Sequence, residues 1–350
     1  MTSLADLRHE LRVAGARSRH ETLALRAWTR GLPLRAYGER EDSPFPRALE
    51  RALPAIEARF AALATVRSEH AATDGSVRLL LALADGETVE SVLLPGDGVC
   101  VSTQVGCAVG CLFCMTGRDG LKRHLSDAEI VAQVALARAR RKIRRVVLMG
   151  MGEPAHNLDA VLEAITLLGL EGDLNTKNLV FSTVGDRRAF ERLPLGPVRP
   201  ALALSLHTTK AELRERLLPR APRIEPAELV TLANEYSRVT KYPTQYQWTL
   251  LEGVNDGDDE LERIAALLAG HYAVMNFIPY NTVDGAGFRR PSWERAEAMA
   301  RYLNQRGILA KLRRSAGQDV DAGCGQLRAR TTFAPSAERL RPLAAPAGAR

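Results

Sequence analysis

The stretch VCVSTQVGCAVGCLFC (99–114) joins an apolar, strand-like run to three closely spaced cysteines, Cys107, Cys111 and Cys114. Thiolates hold iron–sulfur clusters, and three of them can bind three irons of a [4Fe–4S] cluster, which leaves the fourth iron open for chemistry. The alternative is a zinc site completed by a nearby residue such as His124. Structural zinc sites usually pair two ligands from each of two places, so the spacing favours a cluster.

Beyond this stretch, apolar strand-like runs alternate with amphipathic helical stretches such as 126–141 and 157–169. This βαβα order indicates a parallel sheet with helical crossovers. The runs lie at 99–105, 145–150, 178–183, 201–206, 246–251, 275–279 and 308–313. Their number predicts an α/β fold with a partial (β/α)6-type barrel over 99–330, with an open doubly wound sheet as the alternative.

Three further segments flank the predicted barrel. Residues 1–72 are rich in Arg and helical in pattern, which predicts a small N-terminal helical accessory domain. Residues 73–98 contain two apolar runs around Asp85-Gly86, a turn signal that predicts a β-hairpin extension leading into the barrel. Residues 331–350 have few large apolar side chains, and we expect a disordered tail there.

The composition is that of an ordinary globular protein, with 46% hydrophobic and 25% charged residues. The net charge of +7 permits a polyanionic partner without proving one. No run of about 18 apolar residues predicts a membrane span, and the polar start MTSLADLRHE does not resemble a secretion signal. Five cysteines, an odd number, argue against a disulfide framework, so we expect a cytoplasmic protein.

Polar residues and glycines follow several of the predicted strands. Active sites of parallel barrels lie at the carboxyl ends of strands, where a lone Ser or Asn is usually a helix cap. Several such ends on one rim, beside a cysteine motif, instead predict a binding site. The residues are Gly150, Gly152, Glu153, Ser182, Ser205, His207 and Asn281.

These motifs together resemble one known family, the dual-specificity radical S-adenosylmethionine (SAM) adenine methyltransferases, or RlmN/Cfr family. The CVSxQxGC pattern and the late CGQL are specific to that family. The matching stretches are VESVLLP (89–95), CVSTQVGCAVGCLFC (100–114), GMGEP (150–154), STVG (182–185), SLH (205–207), GVND (253–256), NFIPYN (276–281) and DVDAGCGQL (319–327).

The resemblance implies a mechanism and a role for every cysteine. Cys107, Cys111 and Cys114 would hold one [4Fe–4S] cluster with an open iron for SAM, and two SAM molecules would be used per turnover. The first would methylate Cys324, and the second would yield a radical that takes hydrogen from the S-methyl group. The resulting carbon radical would add to adenine, Cys100 would release the product through a transient disulfide, and Glu90 would accept the ring proton. The implied SAM contacts are Gly152, Glu153, Ser182, Ser205, Leu206, His207 and Asn281.

The implied substrate is an adenine of 23S ribosomal RNA, methylated at C2 or C8, with transfer RNA as a second substrate. The resemblance also implies an electron donor such as flavodoxin or ferredoxin, and we expect a monomer. The alternatives are a radical SAM enzyme of the same fold acting on another RNA base or a non-RNA substrate, and a non-catalytic RNA-binding relative. Of two basic segments, 138–145 and 214–223, we expect the second to face RNA, through Arg214, Arg216, Arg220 and Arg223.

Overall fold

The computed structural model describes residues 1–38, 44–283 and 285–329. The tail predicted at 331–350 lies outside the described residues. The chain begins with three helices, α1 (Leu4–Val13), α2 (Ser18–Thr29) and α3 (Arg47–Ala62). A capping box starts α1: the Ser3 side chain accepts from the Asp6 N–H, and the Asp6 carboxylate accepts from the Ser3 N–H at 2.7 Å.

An antiparallel unit follows, made of β1 (Ala64–Ala71), β2 (Val77–Leu83) and β3 (Thr88–Leu94). The Asp85-Gly86 turn joins β2 to β3 as predicted, with Gly86 at a positive φ of 87°. The prediction that residues 1–72 are helical is wrong at its end, because β1 pairs with β2 along its whole length. The helical segment therefore ends at Ala62, and the sheet begins at Ala64.

The cysteine motif lies in a loop between two short antiparallel strands. After β4 (Gly98–Cys100) come β5 (Gln104–Gly106) and β6 (Leu121–His124), which pair with each other outside the main sheet. The loop between β5 and β6 holds Cys107, Cys111 and Cys114.

The main sheet has ten strands among the described residues, in the order β1-β2-β3-β4-β7-β8-β9-β10-β11-β12. From β4 onward, every neighbouring pair is parallel. The remaining strands are β7 (Arg145–Leu148), β8 (Leu179–Thr183), β9 (Ala201–Ser205), β10 (Thr244–Leu250), β11 (Ala273–Pro279) and β12 (Leu309–Leu312). This order confirms the predicted α/β fold and is consistent with the partial barrel.

Helices connect the parallel strands. They are α4 (Asp127–Arg140), α5 (Leu158–Leu170), α6 (Arg187–Arg192), α7 (Ala211–Leu217), α8 (Pro226–Thr240), α9 (Asp258–Leu268) and α10 (Trp293–Asn304). A second capping box starts α4, where Ser126 and Glu129 accept from each other's N–H groups.

One continuous hydrophobic core runs from Leu4 in α1 to Leu327 near the end of the described chain. The N-terminal helices therefore share their core with the barrel. A smaller apolar cluster lies around the cysteine loop and includes Phe113 and Met115. Among the described residues, no helix combines the length and the apolar character that a membrane crossing requires.

Candidate active site

All five cysteines line one cavity of about 1010 Å³. Cys100 ends β4, and Cys107, Cys111 and Cys114 reach the cavity from the β5–β6 loop. Cys324 reaches it from the segment that follows β12. The cavity wall also includes the carboxyl ends of β8 and β9, where parallel barrels carry their active sites.

Backbone hydrogen bonds fasten the cysteine loop to its surroundings. The Cys107 N–H donates to the Gly120 carbonyl at 3.0 Å, and the Leu112 N–H donates to the Leu217 carbonyl at 3.0 Å. The Met115 N–H donates to the Gly325 carbonyl at 2.7 Å. This last bond joins the loop to the segment that carries Cys324, so the two cysteine-bearing regions are held together.

The three loop thiols fit a cluster better than a single metal ion. Among the described residues, no three His, Cys, Asp or Glu side chains converge on one point as a single ion requires. His124, the possible fourth zinc ligand, instead hydrogen-bonds the Gln104 amide through Nδ1 at 3.0 Å. In a cluster each thiolate binds a different iron, so the three thiols need only border one common volume. Cys107, Cys111 and Cys114 all line the same cavity.

Burial raises the pKa of Cys107 to about 12 and that of Cys111 well above its ordinary value. A bound metal overrides this effect, because a coordinating thiol is deprotonated outright. The thiols therefore lie in a poorly solvated setting where only a strongly positive group would ionise them.

Glu153 places a buried carboxyl group at the cavity wall, directly after β7. Its two oxygens accept from the Ala155 N–H at 3.0 Å and the Val184 N–H at 2.9 Å. Burial nonetheless raises the pKa of Glu153 to about 7. This position suits an acceptor for a ligand amine.

The glycines beside Glu153 serve mainly to let two chain segments approach. A Cβ at Gly150 would lie 2.7 Å from the Val101 backbone, and one at Gly152 would lie 2.7 Å from the Gln104 side chain. Gly152 also has a φ of +106°. Both glycines line the cavity, but this tight packing already requires them without a ligand.

Ser182 and Ser205 line the cavity at the ends of β8 and β9, and their hydroxyls form no hydrogen bond with any described residue. His207 lies beside them in a left-handed backbone conformation with a φ of 62°. Its Nδ1 accepts from the Thr249 N–H at 3.0 Å, and burial lowers its pKa to about 3. The ring is therefore neutral with its proton on Nε2, an arrangement that suits ligand binding.

Two buried side chains that sequence reasoning missed hold this rim in place. The Asn255 amide donates to the His207 carbonyl at 2.7 Å and to the Thr249 carbonyl at 2.8 Å. The Arg214 guanidinium donates to the carbonyls at the ends of β8 and β9, including that of Leu206 at 3.2 Å. The expectation that Arg214 faces RNA is wrong, because its side chain is 4% exposed. The GVND motif pointed to Asn255 without giving it a role.

Three predicted site residues lie outside the cavity wall. Leu206 is buried in the main core. The Asn281 amide donates to the Cys324 carbonyl at 3.0 Å and to Ser315 Oγ at 2.7 Å, so it contacts the Cys324 segment. Glu90 is fully buried; it accepts from Arg78 Nη1 and from the Arg328 N–H, each at 2.8 Å. Burial raises the pKa of Glu90, against the opposing charge of Arg78.

The thiols of Cys100 and Cys324 lie close enough to influence each other. Burial, with a smaller contribution from the neighbouring Cys324, raises the pKa of Cys100 to about 12. Cys324 opens into the cavity, yet the surrounding protein still desolvates its thiol and raises its pKa. The charge of Cys114 adds to that shift, so Cys324 lies within electrostatic range of the cluster loop.

Comparisons with known proteins agree with this geometry. Residues 101–268 match the radical SAM superfamily. The chain is 70% identical over 324 residues to a probable RNA methyltransferase of Aromatoleum aromaticum, covering 93% of this chain and 91% of the relative. It is 68% identical over 327 residues to one of Methylibium petroleiphilum, covering 93% of each.

A crystal structure of a radical SAM methyltransferase from Sphaerobacter thermophilus matches with a TM-score of 0.80 and 35% identity. The match covers 94% of this chain and 98% of that one. The chain belongs to the radical SAM superfamily, in one family with these methyltransferases. Membership of this radical SAM family implies a [4Fe–4S] cluster and SAM, which the thiols and polar groups of the cavity fit.

Proposed function

We propose that this radical SAM enzyme methylates C2 or C8 of an adenine in RNA, with 23S ribosomal RNA as the main substrate and transfer RNA as a second. The observation that carries the proposal is that Cys100 and Cys324 share one cavity with the three cluster thiols. A radical SAM enzyme of another kind has no need of these two further thiols. The names of the relatives support an RNA substrate.

The chain's own residues divide the work. Cys107, Cys111 and Cys114 would hold the cluster, and Glu153, Ser182, Ser205 and His207 would bind SAM from the rim. When bound, SAM would supply the methyl group, with two molecules used per turnover. The cluster would supply the electron that cleaves the second SAM and so activates the methyl group. Leu206 would serve through its backbone, and Asn281 would position the Cys324 segment rather than touch SAM directly.

Cys324 would carry the methyl group to the adenine as S-methylcysteine. Cys100 would then attack the Cys324 sulfur: an S–S bond forms, and the bond from that sulfur to the transferred carbon breaks. The electron pair of the broken bond passes to the base, whose new methyl group takes up a proton, and a reduced thiol must reopen the disulfide before the next turnover. Glu90 would accept the ring proton, and its raised pKa makes it a better base than an ordinary carboxylate. Because Glu90 is enclosed by Arg78 and Arg328, this role requires the Arg328 segment to move aside.

The experiment has two parts. The chain is purified anaerobically with cluster and SAM, and a digest is examined by mass spectrometry for a methyl group on Cys324. Ribosomal and transfer RNA from deletion and wild-type cells are then compared for 2- and 8-methyladenine. An unmethylated Cys324 contradicts the carrier mechanism, and RNA that loses neither nucleoside contradicts the adenine assignment. We expect the reaction in the cytoplasm, in a monomer reduced by a flavodoxin or ferredoxin.

A further inference from the structure

A group of arginines also lines the cavity. Arg144 and Arg145 lie at the start of β7, and Arg313 and Arg314 follow β12; all four line the cavity. Arg144 is 3.6 Å from Asp97, and the Arg314 guanidinium lies 4.7 Å from the centre of the Trp293 ring. Arg145 and Arg313 form no ion pair with any described carboxylate.

Arg145 and Arg313 are close enough to repel each other. Burial lowers the pKa of Arg145, and the charge of Arg313 lowers it further. An arginine does not lose its proton in proteins, so both side chains stay charged. The Nε of Arg145 is buried and has no hydrogen-bond partner among the described residues. Arg145 is half-buried and Arg313 is exposed, so solvent screens part of their repulsion, and a bound anion would relieve the rest and pair the unsatisfied donor.

The carboxylates in the same wall do not supply that neutralisation. Asp74 accepts from the N–H groups of Ser76 and Gly317, each at 2.9 Å. Asp319 accepts from the Thr73 N–H at 2.9 Å. These bonds fix both carboxylates against the backbone, and neither is ion-paired with Arg145 or Arg313.

A further unused donor lies beside Arg313. Asn276 is 1% exposed, and its Oδ1 accepts from Arg313 Nη1 at 3.5 Å. Its Nδ2 has no hydrogen-bond partner among the described residues. Side chains alternate along a strand, and Ile278 of the same strand lines the cavity, so Asn276 faces the same side. A buried amide and two guanidinium groups thus present donors toward one region.

This region adjoins the methyl-carrying thiol, because the charge of Arg313 also lowers the pKa of Cys324. The volume of about 1010 Å³ lies at the upper end of the roughly 300–1,000 Å³ typical of small-molecule sites, which leaves room for a nucleotide beside SAM. In the proposed function, the cluster loop and the strand-end rim would hold SAM, including its carboxylate. An anion bound near Cys324 would then belong to the RNA substrate.

We infer that Arg145 and Arg313, with the Asn276 amide, form a phosphate-binding site that holds the RNA backbone at the target nucleotide. The inference rests on the proposed function, because it assigns the anion to the RNA substrate. Guanidinium groups suit a phosphodiester, since their paired donors match its two free oxygens. The site would fix the position of the nucleotide while its base reaches Cys324.

The first test measures binding of adenosine and adenosine 5′-monophosphate to the reconstituted full chain by titration calorimetry. We expect the monophosphate to bind about tenfold more tightly or better, as for a hydrogen bond to a charged group. Arg145→Gln and Arg313→Gln should remove that preference without weakening adenosine. Arg145→Lys should restore part of it, because the charge remains without the paired donors.

A second test follows binding of a labelled single-stranded RNA at several salt concentrations. Loss of one phosphate contact should reduce the slope of log affinity against log salt by about 0.7. Arg301→Gln is the matched control, since Arg301 is exposed on α10 and pairs with Glu297. Circular dichroism on every variant confirms that it is folded.

Several results would overturn the inference. They are equal binding of the two ligands, no binding of the monophosphate at millimolar concentration, or equal losses for both ligands in Arg145→Gln. An unchanged salt slope would assign the site to a free nucleotide, and a selective loss of SAM binding would assign it to the SAM carboxylate. None of these binding measurements depends on RNA methylation. If the enzyme forms methyladenine in RNA but shows no preference for the monophosphate, only this inference is refuted. If it prefers the monophosphate but forms no methyladenine, only the proposed function is refuted.

Discussion

At the scale of single residues, the position of Cys100 makes it suited to end a reaction rather than to begin one. Its thiol is buried, and its raised pKa keeps it protonated at neutral pH. It borders the same cavity as Cys324 and lies within range of that sulfur's charge. A protonated thiol is a poor nucleophile, so Cys100 would act only once a base takes its proton.

This position predicts the behaviour of Cys100→Ala. Cys324 should still be methylated and should still attach to the RNA, but nothing would break the attachment. We expect less than one turnover and a covalent protein–RNA complex, visible as a mass shift on a denaturing gel. Cys100→Ala combined with Cys324→Ala should give no complex. If Cys100→Ala alone turns over at the wild-type rate, the disulfide step is contradicted.

The buried, neutral ring of His207 leads to a second prediction, on how the free energy of unfolding depends on pH. Its pKa is lowered to about 3 in the fold, against about 6.5 in an unfolded chain. A lowered pKa contributes stability that is complete above pH 6.5 and is lost as the pH falls toward 3. Between pH 7 and pH 5 this loss is about 2 kcal/mol. His207→Asn should remove it, since Asn tolerates the left-handed backbone and does not titrate.

The measurement is urea unfolding of the cluster-free protein at both pH values. Glu153 acts with the opposite sign, because its pKa is raised to about 7 and its contribution grows as the pH falls. That contribution is common to both proteins, so the difference between wild type and His207→Asn isolates His207. An equal pH dependence in the two proteins would mean that His207 is already accessible to protons.

At the scale of elements, the short helix α7 holds two strand ends through one side chain. Arg214 donates to carbonyls at the ends of β8 and β9. Arg214→Met keeps most of the side-chain volume but leaves buried carbonyls unpaired, and we expect a loss of about 2–4 kcal/mol. Arg216→Met changes an exposed residue of the same helix and should cost under about 0.5 kcal/mol. Urea unfolding measures both, and equal losses would contradict the bracing role.

The elements also show what a single sequence can and cannot reveal. The parallel strands were predictable because their buried apolar runs differ sharply from the amphipathic helices between them. β1 was missed because its sequence, ATVRSEHA, alternates exposed residues with mostly half-buried ones and lacks a strong apolar face. Arg214 was misjudged because a basic helical run has the same sequence whether a guanidinium points outward or inward.

The candidate site also contains residues whose place could be predicted from the sequence and others whose surroundings could not. The cysteines and most of the predicted rim residues border one cavity. They could be predicted because their motifs are short and specific, and the strand ends bring them together. Glu90 was expected near the reacting base, but its local sequence does not reveal the Arg78 and Arg328 contacts that enclose it. The second of these arises from a partner 238 residues away, which only the fold supplies.

At the scale of the whole molecule, the N-terminal helices are part of the barrel's core rather than a separate unit. The Leu4 N–H donates to Asp127 at the start of α4 at 2.8 Å, and Arg138 of α4 donates to the Thr29 carbonyl at 2.8 Å. Gly31 approaches α4 so closely that a Cβ there would lie 2.6 Å from the Ala139 nitrogen. We therefore expect the helices and the barrel to unfold in one transition.

Gly31→Ala tests this coupling, with Gly75→Ala as its control. Both glycines have positive φ, 70° and 83°, but a Cβ at Gly75 meets nothing within 4 Å. Gly75→Ala should cost about 1–2 kcal/mol from backbone strain alone, and Gly31→Ala should cost about 1–3 kcal/mol more, because it forces α2 away from α4. Urea unfolding followed by tryptophan fluorescence and by circular dichroism should give one coincident transition for Gly31→Ala. If the helices are instead an independent domain, the tryptophan fluorescence, which sums Trp28 in α2 with the tryptophans of the barrel, will change in two steps and will separate from the circular dichroism.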